Sequence, residues 1–285
     1  MKMVPHDGCF DKQRLGGTIK KEKKSTVPEK NRINIASAFL IFAALYTPAS
    51  GLAADYSSTG VDVLYGSDYE LGSNGEKGTD AVTLTFEHFS TWEYGDNYFF
   101  FDAVFESNGD ENTRIYGEYY PRISLSKVTD NDLSAGLTDG LGFKDVSLSA
   151  GVNAGNDVRV LTYGPSWNFD IPGFTVFQLD TYVYDDVSSS DFDTTYLITP
   201  IWSVPFEVQG LKFEFRGFVD FIGERGSGTK PQILAQPQLR LDLGDLVFNS
   251  PGQLTLGTEF SWWRNKFGVD GVTDNVWQAL VGYRF

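Results

Sequence analysis

After Ala54 the chain holds one histidine, His88, and no cysteine. A Ser–His or Asp–His hydrolase could be built on that histidine. In VTLTFEHF, however, a two-residue phase puts His88 on a face with Val82, Leu84 and Phe86, and Glu87 on the other. No GxSxG, HExxH or phosphate-cradling glycine loop accompanies it. A lone histidine without cysteine makes a poor metal site, and DNDLSAGLTDG lacks the closing Glu of an EF-hand loop. The expectation is no enzyme, no metal and no cofactor.

Richer chemistry lies in alternating charged and aromatic residues. LKFEFRGFVDF sets Leu211, Phe213, Phe215, Gly217, Val219 and Phe221 against Lys212, Glu214, Arg216, Phe218 and Asp220. IYGEYYPRISL likewise shows Tyr116, Glu118, Tyr120, Arg122 and Ser124 on one face. LAQPQLRLDL shows Gln236, Gln238, Arg240 and Asp242. The same phase adds Arg114, Arg284, Glu87, Asp102, Glu106 and Glu259, with Phe89, Phe100, Tyr163 and Trp263. Such groups either pair across strands or stack on and orient a flat solute. The candidates for solute contact are Glu87, Phe89, Asp102, Glu118, Tyr120, Arg122, Lys212, Glu214 and Arg216. An acidic excess among the inward charges favours neutral or cationic solutes over anions.

The elements that must carry these residues are strands. About twelve extended segments run from Thr59 to Phe285, separated by Gly/Asn/Asp/Ser/Pro clusters, and none shows helical periodicity. A soluble sandwich would turn the apolar face inward; a membrane barrel would turn it to lipid. Segments of about ten residues match a tilted bilayer-spanning strand. The even number of segments, the mixed charges on the polar face and the aromatic segment ends favour the all-β, up-and-down transmembrane barrel. Trp92, Tyr94, Trp167, Tyr184, Trp202, Trp262 and Trp263 are read as interfacial girdles. An even strand number puts both termini on the periplasmic side. The long stretch TDNDLSAGLTDGLG then falls on that side too, where short turns are the rule.

The N-terminal region differs. Six basic residues between Lys20 and Arg32 precede the apolar run Ile35–Tyr46 and the small residues of TPASGLAAD. This predicts a secretory signal segment over residues 1–54 and a barrel domain over 55–285. Residues 55–285 hold 14 basic and 34 acidic residues, a net charge of −20, which disfavours nucleic acid as a partner. The chain ends on VWQALVGYRF, whose Tyr283 and Phe285 are read as the assembly signal for the outer-membrane insertion machinery.

The stretch EYYPRISLSKVTDNDLS (Glu118–Ser134) resembles the nucleoside-specific outer-membrane channel family, the Tsx-like channels, in its Glu-x-x-Pro-Arg-x-Ser-x-x-Lys-x-Thr pattern. TLTFEHFSTWEYGDNYFFFDAVF and VGYRF resemble that family's aromatic hairpin and closing strand. The resemblance implies a twelve-stranded monomeric barrel in the outer membrane with a narrow, aromatic-lined path for nucleosides. At Leu71 and Gly72 the sequence departs from the family's Phe-Gly, and leucine cannot stack on a base. Three readings therefore stand: a passive channel with nucleosides the leading solute, a barrel hydrolase, and a closed structural or surface-interaction barrel.

Overall fold

The structure, a computed structural model, describes residues 54–72, 75–107, 113–134 and 142–285. Apart from Ala54, the expected signal segment lies outside them. The strands are β1 (Tyr56–Tyr69), β2 (Thr79–Trp92), β3 (Gly95–Glu106), β4 (Thr113–Ser124), β5 (Phe143–Gly155), β6 (Arg159–Phe169) and β7 (Val176–Asp186). They continue as β8 (Thr195–Val208), β9 (Leu211–Ile222), β10 (Gln232–Ala235), β11 (Gln238–Asp242), β12 (Leu254–Arg264) and β13 (Thr273–Arg284). Each pairs antiparallel with its neighbours, and β1 pairs with β13 from Gly60↔Arg284 to Gly66↔Gln278, so the sheet closes on itself.

β10 and β11 both lie between β9 and β12 and are two halves of one stave, so the barrel has twelve staves. The break falls at Gln236-Pro237, because proline has no N–H for the ladder. The neighbouring peptides stay paired: Gln236 N donates to Phe218 O at 3.1 Å and Phe260 N to Pro237 O at 2.9 Å. The break comes so close to β9 that a Cβ on Gly217 would lie 2.6 Å from Gln236 O and 2.8 Å from Pro237 Cα.

The alternation falls as its phase requires. Val63, Tyr65, Leu84, Leu148, Leu161, Tyr196, Phe221, Leu256, Trp277 and Val281 are exposed on the outer face. Asp62, Ser149, Asn153, Thr162, Asp180, Arg240, Glu259 and Gln278 are buried on the inner one. In water such an exterior would be a severe liability; in a bilayer it is the required surface. Around the rim that carries both ends of the sheet runs a belt of ring contacts: Phe169–Phe177 at 5.7 Å, Trp202–Phe215 at 5.7 Å and Phe206–Phe213 at 5.4 Å. Trp92, Tyr94 and Trp167 also lie toward this rim, as a girdle requires.

Three sequence expectations change. Tyr163 is not lumenal: it is 51% exposed on the outer face, in phase with Leu161. Tyr184 is not a girdle residue: it is buried inside with Tyr182. Two short helices also appear at the rim of the termini, α1 (Leu125–Thr129) and α2 (Leu243–Phe248). Both are too short to show a helical period in sequence, and each is set by a cap. Ser124 Oγ accepts from Lys127 N at 3.2 Å, and an Asp242 carboxylate oxygen accepts from Asp245 N at 2.9 Å. Residues 135–141 of the expected long connection lie outside the described residues; α1 and the start of β5, which flank it, both stand at this rim.

Replacing Gly217 by alanine drives a methyl group into backbone that cannot retreat, and should lower stability by about 1–3 kcal/mol. Urea unfolding of the detergent-folded protein measures it; an unchanged midpoint would show that the Pro237 break is slack.

Candidate functional site

The lumen has packed and half-open walls. On β5–β7 the inward residues Ser147, Ser149, Asn153, Thr162, Ser166, Asp180 and Asp186 are buried. So are Asp62 and Leu64 of β1, Glu259 and Ser261 of β12, and Val276 and Leu280 of β13. Inside the barrel Tyr120, Val160, Tyr182, Tyr184, Leu197 and Ile222 form one cluster, so part of the lumen is an ordinary apolar core. Inward residues of β2 and β3 (Glu87, Phe89, Tyr98, Phe100, Asp102) and of β9 (Glu214, Arg216, Phe218, Asp220) are instead half-buried. Strand order places β3 and β9 on opposite sides of the barrel. The accessible interior is a slot between those two walls.

A chain of ion pairs crosses this slot. Arg216 Nη2 of β9 lies 3.0 and 3.2 Å from the two carboxylate oxygens of Glu87 on β2. Glu87 also pairs with Arg284 of β13, and Arg284 Nη1 reaches Asp62 Oδ1 at 3.3 Å. Asp62 takes Arg240 in a two-pronged contact of 2.5 and 3.1 Å, and Arg240 Nε donates to Gln238 Oε1 at 2.9 Å. Glu259 closes the chain, accepting from Gln238 at 2.6 Å and Gln278 at 2.5 Å. Small residues make the space: a Cβ on Gly282 would lie 2.4 Å from Asp62 Oδ1, and one on Gly60 would overlap the Arg284 guanidinium.

The outward-loop half of the slot carries carboxylates with neutral partners. Thr85 Oγ1 donates to Asp102 at 2.6 Å, and Thr199 Oγ1 to Asp220 at 2.6 Å. Glu118 Oε1 accepts from Tyr116 Oη at 2.5 Å and from Asn153 Nδ2 at 3.0 Å, while Tyr120 Oη donates to Asn153 Oδ1 at 2.9 Å. The Tyr120 ring lies against Tyr182 at 6.0 Å.

Of the nine expected path residues, Glu87, Phe89, Asp102, Glu118, Glu214 and Arg216 border the slot. Tyr120 and Arg122 face inward but are buried, Arg122 pairing with Asp96 at 2.6 Å. Lys212 departs from the expectation. It stands at the rim where β9 begins, pairs with Asp245 of α2 at 2.9 Å and is half exposed, because α2 brings its carboxylate there. Leu71 and Gly72 lie at the opposite rim, where Leu71 O accepts from Lys266 Nζ at 3.1 Å and Gly72 is buried. That rim holds two further buried pairs, Lys266–Asp274 at 2.6 Å and Arg225–Asp186. Sequence reasoning missed Asp62, Tyr98, Tyr182 and Arg225; the phase of VDVLYG and TYVYDD was available for the first and third.

His88 points outward. Its Nδ1 lies 2.8 Å from Thr59 Oγ1 and its ring stacks on Phe99 at 5.2 Å, all on the outer face. It is therefore removed from the lumenal carboxylates that a hydrolase would pair with it.

A closed barrel with an apolar exterior and a polar, ion-paired interior defines a transmembrane β-barrel of the bacterial outer membrane. Residues 61–278 match the family described as a domain of unknown function (DUF5020), and the chain belongs to that family. No curated protein matches it. Among solved structures it is similar to a KdgM porin, at 8% identity and a TM-score of 0.43 over 79% of this chain and 98% of that one. A KdgM porin in complex with disordered oligogalacturonate is similar at 8% identity and a TM-score of 0.42 over the same shares. The β domain of the Bordetella autotransporter BrkA is similar at 12% identity and a TM-score of 0.33, over 81% of this chain and 99% of that one.

The ion pairs should differ in weight. Arg240 and Asp62 are 2% and 3% exposed, and without Arg240 the buried Asp62 carboxylate keeps only the single 3.3 Å contact from Arg284, so Arg240→Ala costs roughly 3–5 kcal/mol. Arg216→Ala leaves Glu87 its second arginine and costs about 1 kcal/mol or less, because water already reaches that pair. Urea midpoints of the two variants decide the order; equal losses would contradict it.

Proposed function

We propose that the protein is a passive outer-membrane channel for small polar solutes, with nucleosides as the leading candidate. The observation that carries this reading is the half-open slot, in which the Arg216 side chain keeps 28% of its surface accessible although it faces the barrel interior. A barrel serving as a structural plug would pack that wall as tightly as β5–β7 and β12–β1 are packed. Passage needs no chemical step. Selectivity comes from stacking and hydrogen bonding weak enough to release the solute. Phe89, Tyr98 and Phe100 on the slot wall offer ring faces, and Asp102, Glu118 and Asp220 offer acceptors for hydroxyl or amino groups. The resemblance of Glu118–Ser134 to nucleoside channels supports the finer reading, and Leu71 weakens base stacking at the outer rim.

Swelling of liposomes holding the purified protein tests both levels. Nucleosides should enter faster than sugars and amino acids of similar size. Equal rates would remove the nucleoside reading, and no swelling with any solute would remove the channel in favour of a closed barrel.

The tail carries a second test. Phe285 is 76% exposed on the lipid side, and its N–H donates to Thr59 O at 3.0 Å. As a signal for the assembly machinery, its deletion should reduce the amount of heat-modifiable, folded barrel in the membrane while leaving flux per inserted molecule unchanged. Normal assembly with impaired flux would reverse that assignment.

A further inference from the structure

The chain from β2 to β9 offers two ways round the barrel, through β3–β8 or through β1 and β13–β10, and several strands intervene on each. The Arg216–Glu87 contact therefore does not run along a wall; it bridges the slot. Glu87 stays paired without it, because Arg284 holds the same carboxylate from the side of β13. Arg216 has a place to go as well. Glu214 is two residues away on the same inward face, and its one hydrogen bond among the described residues comes from a neutral hydroxyl, Ser203 Oγ at 2.7 Å. The two ends of the bridge are 28% and 15% exposed, against 2% and 3% for Arg240–Asp62, so water reaches the crossing pair and not the pair beside it.

We propose that Arg216 is the size-limiting bar of the lumen: its guanidinium crosses the slot to Glu87 at rest and folds back toward Glu214 to let a solute by. This rests on the channel reading. A bar made of one solvent-reached ion pair is weak enough to part on the time scale of solute passage, whereas Arg240, Asp62 and Arg284 form the fixed frame it leans on. Cut-off and conductance are then set by one side chain rather than by the width of the backbone barrel.

The experiment compares wild type, Arg216→Ala and Arg216→Lys in planar bilayers and in liposome swelling with neutral sugars of one, two and three rings. Heat-modifiable gel mobility confirms that each variant is folded. Arg216→Ala should admit the next larger sugar and raise conductance in dilute KCl roughly twofold or more, while Arg216→Lys keeps the wild-type cut-off. At about 1 M salt, where charges are screened within roughly 3 Å, wild-type conductance should rise more steeply than bulk conductivity and that of Arg216→Ala should not. A conducting wild type whose cut-off and conductance are unchanged in Arg216→Ala overturns the bar and leaves the channel reading standing. Silence of both wild type and Arg216→Ala overturns the channel reading and the bar together. Flux through Arg216→Ala alone supports a bar that shuts the lumen fully at rest.

Discussion

A peptide group facing hydrocarbon has nowhere to put its N–H or C=O except into the next strand. That demand decides the architecture of residues 56–284. No open sheet satisfies it, because an edge would leave one row of groups unpaired in lipid. The seam between β1 and β13 removes the edge, and everything else follows from having a seam. Closure fixes an inside and an outside, and the two-residue period then sorts every strand into a lipid face and a lumenal face. The Pro237 break is tolerated because its neighbours on β9 and β12 pick up the peptides on either side.

Once the lumen exists, its charges must answer to each other. The interior contains Arg122, Arg216, Arg240 and Arg284 together with Asp62, Asp96, Glu87 and Glu214. Burial divides them into a packed frame and an accessible slot. The same residue types therefore do different work according to which wall they stand on. Arg240 is packed into the frame, and Arg216, on the neighbouring stave, faces the accessible slot.

Period-two patterning made the fold legible, since one residue of phase error would have reversed every face. It also put Glu118, Arg122, Glu214, Arg216 and Arg240 on the inner face, where they stand. It failed where phase is not the deciding quantity. Tyr163 and Tyr184 are chemically alike, and which one lines the lumen depends on a one-residue difference that the segment ends blurred. Lys212 was in phase, but it sits at a strand end where α2 captures it. The division between packed and half-open walls depends on which strands stand opposite each other, and no local pattern encodes that.

The lumenal ion pairs join residues very far apart in the chain: Glu87 with Arg216, Asp62 with Arg240, Asp62 and Glu87 with Arg284. None of them can form in a hairpin, so they report on the finished article. If the last strand docked one residue out of register, Arg284 and Gln278 would turn to hydrocarbon while Trp277 and Val281 entered the lumen. A cationic side chain at the lipid face near the rim, where Arg284 stands, costs up to about 1 kcal/mol, and its carboxylate partners Asp62 and Glu87 would lose that arginine as well. The network thus works as a proofreading step in folding: a misaligned closure is rejected by charge, and the aligned one is locked by it.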